Sequence, residues 1–132
     1  MRISDLAKAT GCHLETVRYY ERIGLLPQPD RSTAGYRDYR DIDTERLRFI
    51  VRGRTLGFSL EEIRSLLMFA SRTELSCDQV DDVARAHLAQ VEAKQRELAA
   101  RAAELRGMID TCHRDTRATC TILQSLARLA PL

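Results

Sequence analysis

From Cys77 to Arg106 the chain holds neither glycine nor proline. Within and just beyond that stretch Ala84, Leu88, Val91, Gln95, Leu98, Ala102, Leu105 and Ile109 recur at alternating steps of four and three. This is a heptad stripe along one long helix, and Gln95 is its only polar member. A thin apolar seam cannot be satisfied by a lone helix, so it predicts pairing with another. The 132 residues contain no second helix of comparable length, and the predicted partner is a second copy of the chain. Aromatics at 5% and abundant Ala, Leu, Arg and Glu agree with a mainly α protein. No apolar run approaches the ~18–20 residues of a membrane span. The start, Met1-Arg2-Ile3-Ser4-Asp5, lacks the apolar core of a signal peptide. A cytoplasmic protein with reduced thiols is therefore expected.

The segment before the long helix has a different texture. Residues 1–57 hold 11 Arg or Lys against 8 Asp or Glu, and only Lys8 and Lys94 of the 21 basic residues in the chain are lysine. Arginine suits phosphate because its planar fork donates two hydrogen bonds at once. Residues 1–26 read as two short helices. Ser4 is the expected cap of the first, and Thr10-Gly11-Cys12 forms the break. A second helix then carries Leu14, Val17 and Tyr20. Helix, tight turn, helix is the layout of a DNA-reading helix-turn-helix. Residues 27–40 hold two prolines and a glycine, which exclude helix and predict a short hairpin with Tyr36 and Tyr39 among Arg31, Arg37 and Arg40. Asp41 or Asp43 can cap a third helix that Gly57 ends. Ser59-Leu60-Glu61-Glu62 is a capping box for a fourth, and Ser76-Cys77-Asp78-Gln79 is a second box opening the long helix.

Four cysteines in a reducing compartment read as metal ligands, redox groups or core. Cys77 falls in the first turn of the long helix and Cys112 just past its end. At ~1.5 Å per residue these thiols stand roughly 50 Å apart within one chain. An antiparallel pair of helices changes that. Leu88 faces the partner's Leu98 in one register and the partner's Leu105 in another. Either register sets Cys77 of one protomer within a turn of Cys112 of its partner. Cys112 and Cys120 bracket seven residues, enough to loop both sulfurs around one ion, with Arg114 and Arg117 available to lower thiol pKa values. The short apolar helix expected from Thr121 would turn its amide end toward the site. Soft thiolates select Zn, Cd, Hg, Pb or Cu(I) over Mg or Ca. His113 is a candidate additional ligand. Cys12 reads as packing, His13 as surface or phosphate contact, and His87 as a residue near the seam. The alternative is a thiol redox switch in which Cys112 and Cys120 form a disulfide. No nucleophile–base pair or phosphate loop appears, so an enzyme is not expected.

Several blocks carry a resemblance: Ile3-Ser4-Asp5-Leu6-Ala7, Thr16-Val17-Arg18-Tyr19-Tyr20-Glu21-Arg22-Ile23-Gly24-Leu25-Leu26, Gly35-Tyr36-Arg37-Asp38-Tyr39 and Leu56-Gly57-Phe58-Ser59-Leu60-Glu61-Glu62-Ile63. To about residue 126 the chain resembles MerR-family transcriptional regulators. The resemblance implies a mainly α fold: a winged helix-turn-helix DNA-binding domain at 1–70, a linker and long antiparallel coiled-coil dimerisation helix at 71–111, and a metal-binding loop with a short C-terminal helix at 112–132. It implies a homodimer on a palindromic, double-stranded promoter, realigning promoter elements for RNA polymerase by distorting the DNA. DNA contacts are implied for Arg18, Tyr19, Arg31, Tyr36, Arg37 and Arg54. Glu15 stands where the family often has a basic residue. Relatives that sense monovalent copper, silver or gold keep serine at the position of Cys77. Those sensing zinc, cadmium, lead or mercury have cysteine. The resemblance therefore implies a divalent ion (Zn, Cd, Pb or Hg) held by Cys77, Cys112 and Cys120.

Overall fold

The computed structural model describes residues 1–112 and 116–129. The chain divides into two compact units, Met1–Val83 and Ala84–Leu132. The first contains α1 (Ile3–Thr10), α2 (Leu14–Arg22), a hairpin of β1 (Asp30–Arg31) and β2 (Arg37–Asp38), α3 (Asp41–Thr55) and α4 (Leu60–Ser71). The strands pair antiparallel, Asp30 opposite Asp38 and Arg31 opposite Arg37. The core draws Leu6 from α1, Val17 and Tyr20 from α2, Leu47 and Ile50 from α3, and Ile63 and Leu67 from α4. Leu25, Leu26 and Tyr39 close it from the connections. This core fixes the two elements that face outward, α2 and the hairpin.

Local chemistry explains the boundaries. Gly11 sits at φ 69°, a left-handed conformation that a side chain would strain, and it turns the chain between α1 and α2. Ser4, the expected cap of α1, lies inside the helix instead. Asp5 does the work: its carboxylate accepts the Arg2 N–H at 3.0 Å, a charge-assisted bond at the positive end of the helix. Asp43 repeats the device for α3, accepting the Arg40 N–H at 2.8 Å. The capping box at Ser59 forms as expected, with Ser59 Oγ accepting from Glu62 N–H at 3.1 Å and Glu62 Oε1 accepting from Ser59 N–H at 2.8 Å. Gly53 lets α3 approach α4: a Cβ there would lie 3.0 Å from Cγ1 of Ile63.

α5 (Asp78–Thr111) is one continuous helix of 34 residues. It begins after Cys77 rather than after Ser76, because the Cys77 carbonyl accepts the first helical bond, from Asp81 N–H at 2.9 Å. Cys77 is thus the cap residue and not a first-turn residue. Every predicted seam residue lies on α5, and none is buried in the single chain; Leu88, Val91, Leu98, Leu105 and Ile109 are exposed. A 3₁₀ turn (Arg117–Thr119) leads into α6 (Thr121–Leu129). Among the described residues no helix is long and apolar enough to cross a membrane.

Candidate nucleic-acid interface and thiol pair

Helix α2 turns Val17, Tyr20 and Glu21 inward and leaves Glu15, Arg18, Tyr19 and Arg22 as one exposed stripe. Arg18 Nη1 lies 2.7 Å from Glu15 Oε1. The Arg22 guanidinium sits 5.8 Å from the Tyr19 ring centroid. On the hairpin, Arg31 donates to the Gly35 carbonyl at 3.0 Å, and Tyr36 is exposed with the Arg2 guanidinium 4.1 Å over its ring. Arg37 is half-buried and donates from Nη1 to Glu21 Oε2 at 2.9 Å. Arg54 donates to the Phe58 carbonyl at 2.9 Å. Of the predicted DNA contacts, Arg18 and Tyr19 stand exposed on α2 and Tyr36 on the hairpin, while Arg31, Arg37 and Arg54 also brace the fold.

Glu21 is the residue that sequence reasoning missed. It is 6% exposed and takes two partners from the hairpin side, Arg37 and the phenol of Tyr39. Burial, reinforced by the hydrogen bond to Glu21, pushes the Tyr39 phenol up to about 12, so it remains a donor. A carboxylate one residue after the inward Tyr20 was the available signal: a buried charge requires partners. Other arginines serve the main chain, Arg46 bonding the Leu25 carbonyl at 2.7 Å and Arg64 the Ile23 carbonyl at 2.8 Å. Part of the arginine richness thus holds the connection after α2. Cys12 is half-buried against the core, as expected for packing, and burial pushes its thiol up.

The second site lies at the end of α5. Cys112 follows the helix, and Cys120 occupies the cap position of α6, its carbonyl accepting the Gln124 N–H at 3.0 Å. The backbone amides of Leu123 and Ile122 and the side chain of Cys112 hold the Cys120 thiol below the ordinary cysteine value against desolvation. Helix amides and the neighbouring Cys112 supply the lowering rather than Arg117, and Arg114 lies outside the described residues. Gln124 Nε2 to the Ala118 carbonyl, 3.0 Å, ties the turn to α6, and Thr111 lies 3.4 Å from Thr121 through their hydroxyls. Cys112 and Cys120 are therefore brought together. His113 lies outside the described residues. Among the described residues no three His, Cys, Asp or Glu of one chain gather where they could hold a metal ion. Cys77 is exposed, and His87 lies half-buried on α5. Two sulfurs, one of them biased toward thiolate by helix amides, suit a soft cation and leave its remaining coordination to other donors.

Residues 1–69 match the model of MerR HTH family regulatory proteins, and residues 44–108 match that described as MerR, DNA binding. The chain is 39% identical over 127 residues to the HTH-type transcriptional regulator HmrR of Rhizobium leguminosarum bv. viciae, covering 96% of this chain and 98% of that protein. It is 36% identical to the mercuric resistance operon regulatory protein of Serratia marcescens, over 96% of this chain and 87% of that one. Among solved structures it is similar to the transcription regulator PbrR691 of Ralstonia metallidurans CH34 in complex with lead(II), with 44% identity, TM-score 0.82, and 96% and 98% of the two chains covered. It is also similar to the mercury(II) complex of MerR from Bacillus megaterium MB1, with 31% identity, TM-score 0.73, and 96% and 99% covered.

Proposed function

This chain belongs to the MerR family of helix-turn-helix regulatory proteins, and we propose that it is a cytoplasmic, metal-responsive transcriptional regulator. It binds a palindromic promoter as a homodimer and activates transcription by DNA distortion when a divalent soft ion (Zn, Cd, Pb or Hg) is bound. Residues 1–70 read DNA, 71–111 link and dimerise, and 112–132 hold the ion. The observation that carries the metal reading is the Cys112–Cys120 pair, with the Cys120 sulfur on the amide end of α6. The lead and mercury complexes of similar chains support the same ion class.

Cys112 and Cys120 of one protomer and Cys77 of its partner are the ligands in this reading, with α5 laid antiparallel along the seam from Ala84 to Ile109. His113 is a further donor for zinc, which favours four ligands. The ion, when bound, supplies a tie between protomers. The chain supplies a preformed sulfur pair, a helix end that steadies its charge, and an exposed cap residue on the other subunit. The DNA side uses Arg18, Tyr19, Arg31, Tyr36, Arg37 and Arg54, with RNA polymerase as the partner acted on through the promoter.

Anaerobic Cd(II) titration of reduced protein, followed by thiolate-to-metal absorbance, tests this. Saturation near two ions per dimer is expected, weakened by Cys77→Ser and abolished by Cys112→Ser with Cys120→Ser. Absorbance indifferent to all three cysteines would sink the metal reading. The proximity of Cys112 to Cys120 would then favour a redox switch, a disulfide formed at the expense of a peroxide and reversed by thiol reductant.

A further inference from the structure

The exposed stripe of α2 carries two arginines, a tyrosine and one carboxylate. Arg18, Tyr19 and Arg22 suit a DNA surface. Glu15 does not suit phosphate, because a carboxylate facing a polyanion is repelled and weakens binding. Yet Glu15 projects from the first turn of α2, the turn from which a recognition helix reaches base edges. Its Oε1 also holds Arg18 Nη1 at 2.7 Å on the same exposed face. In the major groove a carboxylate is welcome where a base offers a donor with no acceptor beside it. Cytosine N4–H₂ meets that condition; adenine N6–H₂ has the N7 acceptor next to it. Arg18 keeps its other N–H groups free of Glu15, and these match guanine O6 and N7.

We propose that Glu15 and Arg18 act as one base-reading couple, Glu15 accepting from cytosine N4 and Arg18 donating to a neighbouring guanine in each half-site. This rests on α2 being the DNA-reading helix, as proposed above. Glu15 is then the specificity-determining residue of the pair: it lowers affinity for DNA in general and restores it on the correct base. The bland role, an acid favourably placed at a helix N-terminus, would leave base preference untouched.

Full-length wild type, Glu15→Gln and Glu15→Ala are each put through binding-site selection from a randomised duplex. Anisotropy then follows on the selected duplex, on variants with each C·G pair changed to A·T, and on a random-sequence duplex. The wild type is expected to select a two-fold-symmetric motif with one cytosine per half-site whose change to adenine costs about tenfold, the order of one base contact. Glu15→Gln should accept adenine there within about twofold, since glutamine pairs with adenine N6 and N7. Glu15→Ala should show no preference at that position. Both variants should bind the random duplex severalfold more tightly. Identical motifs and penalties for all three proteins would overturn the proposal. A wild type that selects no symmetric motif would instead remove the DNA-reading role of α2, and the couple with it.

Discussion

Glu21 decides how the hairpin is held against α2. Its two oxygens are spent on Arg37 and on the Tyr39 phenol, so removing the phenol leaves a buried carboxylate oxygen short of a donor. Tyr39→Phe is expected to cost about 1–3 kcal/mol at neutral pH, read as a lowered urea midpoint. The same phenol makes stability depend on alkaline pH. Its pKa rises from 10.0 to about 12 on folding, burial being the first cause. The folded state thus keeps a proton that the unfolded chain releases above pH 10. This contribution is full below pH 10 and is lost as pH rises through about 12, a change of about 2–3 kcal/mol. Wild type should therefore lose stability over that window more steeply than Tyr39→Phe; parallel profiles would exclude the linkage. Glu21 was legible in the sequence only as an oddity. The spacing of Val17 and Tyr20 marks the inner face of α2, but which side chains answer a buried charge depends on a hairpin sixteen residues away, and local pattern carries no record of that.

The elements were more readable than their starts. The capping box at Ser59, the break at Gly11 and the hairpin between Pro27 and Arg40 each rest on chemistry complete within a few residues, and each forms where the sequence places it. Ser4 and Ser76 carry the right side chains for caps, yet Asp5 and the Cys77 carbonyl set the actual helix starts. At α1 an ionised carboxylate outcompetes a hydroxyl at the positive end of the helix, so hydroxyl spacing alone misplaces that boundary. Gly53 shows a different limit. Nothing local distinguishes a glycine that weakens α3 from one that admits Ile63 of α4, and its close approach is visible only in packing. Gly53→Val should force Ile63 and α4 outward and cost about 1–3 kcal/mol, despite valine's better helix propensity. A thermal midpoint at or above that of wild type would mean that the α3–α4 contact yields without strain.

At the scale of the molecule, the thiol pair at Cys112 and Cys120 and the exposed seam of α5 make the same demand. The seam leaves Leu88, Leu98, Leu105 and Ile109 in water, and the thiol pair offers an ion fewer sulfurs than cadmium or lead would take. A second chain laid antiparallel, as proposed above, would meet both, and the heptad spacing by itself already calls for such a partner. What spacing could not supply was the helix-end bias on Cys120, which depends on where α6 begins. The arrangement is testable by complementation in trans. One protomer carries Cys77→Ser, the other Cys112→Ser with Cys120→Ser, and neither homodimer should yield a full thiolate–Cd(II) band. A heterodimer made by co-expression joins the intact Cys77 of one chain to the intact Cys112 and Cys120 of the other at one of its two sites. It should regain half the wild-type absorbance. Placing Leu98→Glu in both chains should abolish that gain, because a charge in the seam separates the protomers. If both ligand groups served within one chain, mixing would restore nothing, and the seam variant would leave each wild-type site intact.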